Sequence, residues 1–347
     1  MRVLGELAGV STQAVSLALR NHPSVGAETR ARIQALARRE GYTPDPHLAK
    51  LMHHLRGRKA PKLTASVCAL TTRPSKSEER FCDLLADGAK RAARAAGFAF
   101  HVLHLDAAEM AGERLPRVLR QRGVEGLVLL PMANLEALDT LVNWEDFSVV
   151  SATLSVTSPL FDRVVADHFQ NNFSLGARLQ AEGFRRPGLV IHQHHDRRCG
   201  HSITAAYAWH GAYGGVEAVR AHVCEKVDAA ALRAWLKTEK PDVVLAEHDA
   251  LARQLRETGV IQAGLPLVSC SARPLADGTF PFAGNYDNPE EIGAAAVAEL
   301  ARKIATGQRG IPERPHTTLV RGKWVDGKMA PAGPRPKPGA TGGRGGS

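Results

Sequence analysis

Two short stretches carry the side chains with the most chemistry to offer. The first is Ser11-Thr12-Gln13, with Ser16 four residues after Thr12. It groups hydroxyls and a carboxamide, which exchange hydrogen bonds with base edges and phosphates rather than break covalent bonds. Gln13 suits adenine, whose major-groove edge offers one acceptor and one donor. The second is His192-Gln193-His194-His195-Asp196, with His201 and His248 further along. Imidazoles are common ligands of zinc, nickel and copper. Read as an extended segment, however, this word turns His194 and His195 to opposite sides. Exposed loop histidines also outnumber ligands, so no metal is expected. No phosphate loop, HExxH, GxSxG elbow or carboxylate pair in a catalytic context is present. The expectation is therefore a protein that binds, with no catalytic residue and no cofactor.

The first set needs a scaffold that can present it to DNA. Leu4, Leu7 and Ala8 repeat at helical spacing, Gly9 permits a left-handed turn, and Ser11 is placed to cap a second helix through Val15, Ala18 and Leu19. After Pro23 a third helix is predicted from about Gly26 to Glu40. Its inward stripe is Thr29, Ile33, Leu36 and Ala37, with Arg30, Arg32, Arg38 and Arg39 outside. This is a helix-turn-helix, in which the second helix enters the major groove. Charge agrees: residues 1–59 hold ten Lys and Arg against four Asp and Glu.

The words Ala8-Gly9-Val10-Ser11-Thr12-Gln13-Ala14-Val15-Ser16, Asn21-His22-Pro23-Ser24-Val25, Glu28-Thr29-Arg30 and Gly41-Tyr42-Thr43-Pro44 resemble the head of the lactose-repressor (LacI/GalR) family. The resemblance covers residues 1–56 closely. It implies DNA contacts from Ser11, Thr12, Gln13, Ser16, Arg20, Asn21, Thr29 and Tyr42. It also implies a hinge helix over His47 to Leu55, in which Leu51 wedges between base steps of the minor groove. An apolar face of Leu48, Leu51, Met52 and Leu55 also suits simple helix pairing. Three departures stand out. Leu17 replaces a polar base reader, Asp45-Pro46 precedes the hinge, and the capping threonine and the residues usually before it are missing, so the head is expected to be truncated at Met1.

From Leu63 onward, apolar runs alternate with helical stretches, as in Ala65 to Leu70, Phe81 to Ala96, Ala99 to Leu105, Glu113 to Arg122 and Gly126 to Pro131. A second series runs from Ser148 to Cys270. Such alternation implies parallel sheets covered on both faces. The words Arg122-Gly123-Val124-Glu125-Gly126-Leu127 and Glu291-Ile292-Gly293-Ala294-Ala295-Ala296-Val297 resemble the periplasmic-binding-protein-like body of the same family. The fold expected is an all-α helix-turn-helix head plus a two-lobed α/β body of doubly wound parallel sheets. The boundaries expected are a head over 1–43, a hinge over 44–60 and a body over 61–330. Lobe 1 takes about 61–160 and 285–312, and lobe 2 about 161–284 and 313–330, with Thr317 to Val325 returning to the second lobe.

Ligands of open α/β sheets bind beyond the carboxyl ends of strands, here expected between the lobes. The resemblance points to Arg197 as an effector-gripping guanidinium and to Asp167 in the cleft, with Asp249 and Ser271 from the words Glu247-His248-Asp249 and Ser269-Cys270-Ser271-Ala272-Arg273. Those words depart from the family's Asn-Asp and Gly-Tyr-Asp-Asp, so a sugar bound in the usual way is not carried over.

Five scattered cysteines suggest neither a disulfide framework nor a zinc ribbon, and no apolar run approaches a membrane span, so a cytoplasmic location is expected. Residues 331–347, rich in Pro, Gly and basic side chains, are expected to be disordered. The resulting expectation is a homodimeric transcription factor, a repressor of a pseudo-palindromic operator in double-stranded DNA, controlled by a small-molecule effector. The second reading is a small-molecule-binding or enzymatic body carrying a degenerate head.

Overall fold

The computed structural model describes residues 2–19, 24–39, 65–72, 78–105, 114–132, 138–217 and 219–328. The head holds three helices, α1 (Arg2–Ala8), α2 (Thr12–Leu19) and α3 (Ala27–Arg39). They close on Leu4, Ala8, Val15, Ala18, Val25, Ile33 and Ala37. Leu7, which shares the helical spacing of Leu4 and Ala8, is exposed.

The body follows as β1 (Ala65–Thr72), α4 (Glu79–Ala95), β2 (Phe98–Leu105), α5 (Arg114–Gln121), β3 (Val124–Leu129), β4 (Ser148–Ser151) and β5 (Arg163–Ala166). Then come α6 (His168–Ala181), β6 (Pro187–His192), α7 (Gln193–Arg198), α8 (Ser202–Tyr213), β7 (His222–Cys224), α9 (Ala229–Glu239), β8 (Val243–Ala246) and α10 (Asp249–Glu257). The last elements are β9 (Leu267–Ser269), β10 (Gly284–Tyr286), α11 (Pro289–Thr306), β11 (Thr317–Val320) and β12 (Lys323–Val325). Two compact units result: Met1–Val165 with Pro289–Thr318, and Ala166–Asn288 with the described residues from Leu319.

In the first unit six strands run in the order β11-β5-β4-β3-β1-β2. The pairs β1/β2, β1/β3 and β3/β4 are parallel. β1 and β4 are buried along their lengths, the pattern of strands covered on both faces. α4 turns Leu84, Leu85, Gly88, Ala89 and Ala93 inward, and α11 meets it with Gly293, Ala296 and Val297. The two helices touch backbone to backbone. A Cβ on Gly293 would stand 2.0 Å from the Leu85 carbonyl oxygen, and one on Gly88 2.0 Å from that of Glu290. α11 opens with Pro289 at its first position and Glu290 and Glu291 in its first turn, which suits the helix dipole.

The second unit has the order β12-β10-β9-β8-β6-β7. β7, β6, β8, β9 and β10 are parallel and β12 is antiparallel to β10. Five strands therefore end at the same edge. One core face gathers Leu175, Leu179, Phe184, Leu189, Ile191 and Val268, and the other Leu232, Trp235, Leu251, Leu255 and Phe282. Asp167 caps α6 through the Gln170 N–H (3.1 Å), and Asp228 caps α9 through the Ala231 N–H (2.6 Å).

Three elements escaped the sequence reading: β5, α7 and β10. A fourth difference is that Thr317 to Val325, expected as one return to the second lobe, is two strands in two sheets. Gly322 makes the break. Its N–H donates to Asn171 Oδ1 (2.8 Å), and a Cβ there would lie 2.7 Å from the Tyr286 backbone carbonyl oxygen, which favours glycine.

Candidate functional site

In the head, α1 ends at Gly9, whose φ of +64° is the left-handed conformation that glycine adopts without strain. The Val10 N–H reaches back to the Gly5 carbonyl at 2.9 Å. Ser11 Oγ then accepts the Ala14 N–H at 3.2 Å and opens α2. Thr12, Gln13 and Ser16 therefore sit in the first turns of the second helix, at register positions off the face that buries Val15 and Ala18. Thr29 is half-buried in α3. Arg20, Asn21, Tyr42 and Leu51 lie outside the described residues.

Two arginines expected on the outside of α3 have internal partners. Arg32 donates to the Ala8 carbonyl (3.0 Å) and Arg30 to the Val25 carbonyl (3.1 Å), while Gln34 donates to the Ala18 carbonyl (3.0 Å). The last carbonyls of α1 and α2 lack intrahelical donors, and α3 supplies them. These bonds lock the angle at which α2 is presented.

The histidine-rich word behaves differently from its sequence reading. β6 stops at His192, and residues 193–198 coil into α7 instead of continuing extended. The segment contains no β-branched residue to hold a strand, and Gly200 and His201, at φ +60° and +59°, end the coil. On this coil His194 and His195 are successive helical positions and no longer turn to opposite sides as they would on a strand.

Because β6 and β8 are parallel neighbours, His192 at the end of one meets Glu247 and His248 at the end of the other. Glu247 is fully buried. Its Oε1 accepts from His192 Nδ1 (2.6 Å) and His248 Nε2 (3.1 Å), and its Oε2 accepts the His192 backbone N–H (2.6 Å). Burial favours the neutral acid, but the hydrogen bonds from both histidines outweigh it and hold the carboxyl well below its ordinary value. The bond to Glu247 raises His192 in turn, against the opposing pull of burial. His248 Nδ1 accepts the Leu251 N–H (3.1 Å) and caps α10, so its proton belongs on Nε2, facing Glu247.

More imidazole surrounds this core. The His194 ring centroid is 5.4 Å from that of His192, and the His195 centroid 5.8 Å from that of His248. Burial pushes His195 down to about 3, and Arg198, which donates to its Nδ1 at 3.0 Å, adds to the effect. Burial likewise lowers His168, at the start of α6, with Arg273 and Arg198 contributing.

A second buried hub lies at the same strand ends. Asp287 accepts from Asn285 Nδ2 (2.8 Å), Asn171 Nδ2 (3.0 Å) and the Ser271 hydroxyl, and Arg273 Nη1 stands 3.5 Å away. The Arg273 backbone N–H donates to Asp249 Oδ2 (2.7 Å). Burial raises the Asp249 carboxyl, with that N–H and Ser269 opposing. Ser271 and Asp249 are thus linked through Asp287 and Arg273, whereas Arg197 is exposed on α7 and Asp167 serves as the α6 cap. His201 belongs to another group: its Nδ1 meets Asp196 Oδ2 at 2.7 Å, which also takes the Thr204 hydroxyl.

Glu247, Arg273 and Asp287 were missed as site residues, and Arg198 enters the sequence reading only as the alternative to Arg197. In the sequence Glu247 and Asp287 each directly follow a short strand, and Arg273 carries no local signal. Burial holds the Cys199 thiol up at about 12 and drives Cys270 higher still, so neither is a thiolate nucleophile at neutral pH. The arrangement offers donors and acceptors in fixed positions.

A helix-turn-helix head joined to two parallel α/β units, with polar networks at the strand ends, defines a DNA-binding regulator with a ligand-binding type of body. Residues 5–45 match the family of bacterial regulatory proteins, lacI family, and residues 64–254 match the periplasmic binding proteins and sugar binding domain of the LacI family. The chain belongs to the LacI family of transcription regulators.

Solved structures share the fold. The transcriptional regulator CelR in its cellobiose complex is 19% identical, with 93% of this chain and 97% of that one covered and a TM-score of 0.54. Transcription regulator CcpA of Lactococcus lactis is 13% identical, with 77% and 100% covered and a TM-score of 0.57. The lac repressor dimer bound to operator and the anti-inducer ONPF is 17% identical, with 94% and 97% covered and a TM-score of 0.52. No curated protein matches the chain. Among the described residues no helix is long and apolar enough to cross a membrane.

Proposed function

We propose that this regulator is a repressor that binds a pseudo-palindromic operator as a homodimer and responds to a small molecule held at the carboxyl ends of the second unit's strands. The observation that carries the reading is the head: a positive-φ Gly9 turn, a Ser11-capped second helix and α3 clamping the ends of both. Ser11, Thr12, Gln13 and Ser16, with Arg20, Asn21, Thr29 and Tyr42, are the residues assigned to DNA, and Leu51 to the minor groove. Asp249 and Ser271 are assigned to the effector end, with Arg198 and Arg273 the better-placed guanidinium groups beside the earlier candidates Arg197 and Asp167. The relatives whose complexes hold cellobiose, or operator together with ONPF, support the same division of labour. Coupling between operator and effector would be linkage, typically about 1 to 3 kcal/mol.

A mobility-shift assay on the DNA upstream of the gene tests this. A discrete shift that survives excess nonspecific DNA is expected, and Gln13→Ala should abolish the discrimination. Failure to shift at low salt would favour the reading of a binding body with a degenerate head.

A further inference from the structure

We propose that His192, Glu247 and His248 form a binding site for a divalent transition-metal ion, with zinc, nickel and cobalt as its chemical class. Each residue offers one ligand atom, and the three atoms lie within 4.8 Å of one another. For a tetrahedral ion with bonds of about 2.0–2.1 Å, neighbouring ligand atoms stand about 3.3 Å apart. Two of the distances are already of that order: Glu247 Oε1 is 2.6 Å from His192 Nδ1 and 3.1 Å from His248 Nε2. An ion would take the place of the two ring protons that converge on this one oxygen.

Three further features favour an ion over a hydrogen-bonded core that merely satisfies itself. Glu247 is a fully buried carboxylate, and its second oxygen is tied to the His192 backbone N–H, so the first is aimed and held. Two imidazoles and one carboxylate leave coordination positions open, the donor set of sites that also accept an outside ligand. A further imidazole, His194, has its ring 5.4 Å from that of His192. The two sides of the site are also tightly positioned, because His192 ends β6, Glu247 and His248 directly follow β8, and those strands pair in register from Pro187 to Val190.

Coordination through His248 Nε2 moves its proton to Nδ1 and breaks the cap on the Leu251 N–H. That cost is a single helix cap, and it provides a readout: the Leu251 amide should lose its hydrogen bond when metal binds.

The inference deepens the effector reading of this end of the second unit by making a metal ion the ligand, or the anchor of the ligand. The test uses the full chain, with any affinity tag removed and metal stripped by chelator, in the absence of DNA. Zinc, nickel, cobalt and magnesium are titrated by calorimetry, and bound ions are counted by mass spectrometry. One zinc, nickel or cobalt ion per chain is expected, magnesium should not bind, and cobalt should develop visible d–d absorption. His192→Gln and His248→Asn, the latter keeping a capping acceptor, should each weaken binding by at least about tenfold, the loss typical when even the partner of a metal ligand is removed. His101→Gln, in the first unit, should leave it unchanged. No saturable binding of any of the three ions overturns the proposal, as does equal affinity in a folded His192→Gln/His248→Asn chain. If the variants unfold, cobalt absorption decides: a stripped wild-type chain without it overturns the site. The operator shift is measured separately. Metal bound without a shift leaves this site standing and sinks the repressor, and a shift without metal does the reverse.

Discussion

Replacing Gly293 by alanine probes the closest approach in the first unit. The new Cβ would start 2.0 Å from the Leu85 carbonyl oxygen and 2.8 Å from the Ala89 nitrogen, both backbone atoms of α4 that cannot rotate away. Ordinary contact begins at 3.4 Å, so the helices must part by about 1.4 Å. A gap of even 0.5–1 Å forfeits roughly a quarter to a half of each dispersion contact, and this interface includes Leu85, Ala89, Ala296 and Val297. Overpacking of this kind costs about 1–3 kcal/mol or more, while alanine in place of glycine returns about 1 kcal/mol of helix propensity. Because the obstructing atoms are backbone, the cost falls at the upper end and the net loss is about 2 kcal/mol. In a unit of this size that lowers the melting temperature by roughly 4–8 °C. Thermal and urea unfolding followed by circular dichroism measure it. Gly88→Ala should act similarly, since its Cβ would meet the Glu290 carbonyl oxygen at 2.0 Å. The double variant should cost less than the sum, because one separation of the helices accommodates both methyls. A Gly293→Ala chain as stable as the wild type, or additive losses, would refute the reasoning.

Lys303 and Asp162 form a buried pair in the first unit, and Asp162 also accepts the His316 N–H at 2.8 Å. Lys303→Met should cost about 3–5 kcal/mol by leaving a buried charge unpaired, and adding Asp162→Asn should recover part of it, as chemical denaturation will measure. Burial opposes ionisation of Asp162, but bonds from Lys303 and His316 still hold its carboxyl below the usual 3.8. The pair's stabilisation is therefore present above about pH 4 and lost as pH falls through the lower folded value; acid titrations of stability should show this limb vanish in Asp162→Asn. Gly9→Ala forces a side chain into φ +64° and should destabilise the head by about 1–2 kcal/mol, read as loss of head helicity at lower temperature. Operator affinity should fall steeply and log-linearly with salt as the basic head displaces counterions, and a flat profile in the shift assay would contradict phosphate contact.

The head and the alternating α/β body were legible in the sequence because their signals are local. A helix period, a glycine at a left-handed turn, a serine cap and an apolar strand bounded by polar residues each act within a few positions. The third helix was expected from about Gly26 to Glu40 and runs Ala27–Arg39, and the strand Val243 to Ala246 lies where it was read. The short strands β5 and β10 lacked such signals, since pairing with neighbours far away in the chain defines them. The site was least legible. Glu247 reads as one acidic residue after a strand until parallel pairing of β6 and β8 carries His192 to it across 55 residues. The histidine word likewise changed meaning when the chain coiled at the end of β6. The sequence by itself determined that a helix-turn-helix head would form and that parallel sheets would follow, through propensities and periods that short peptides already express. Only the tertiary structure decided which imidazoles share a carboxylate, because sheet order and register are global quantities, set by how many distant strands bury their faces at once.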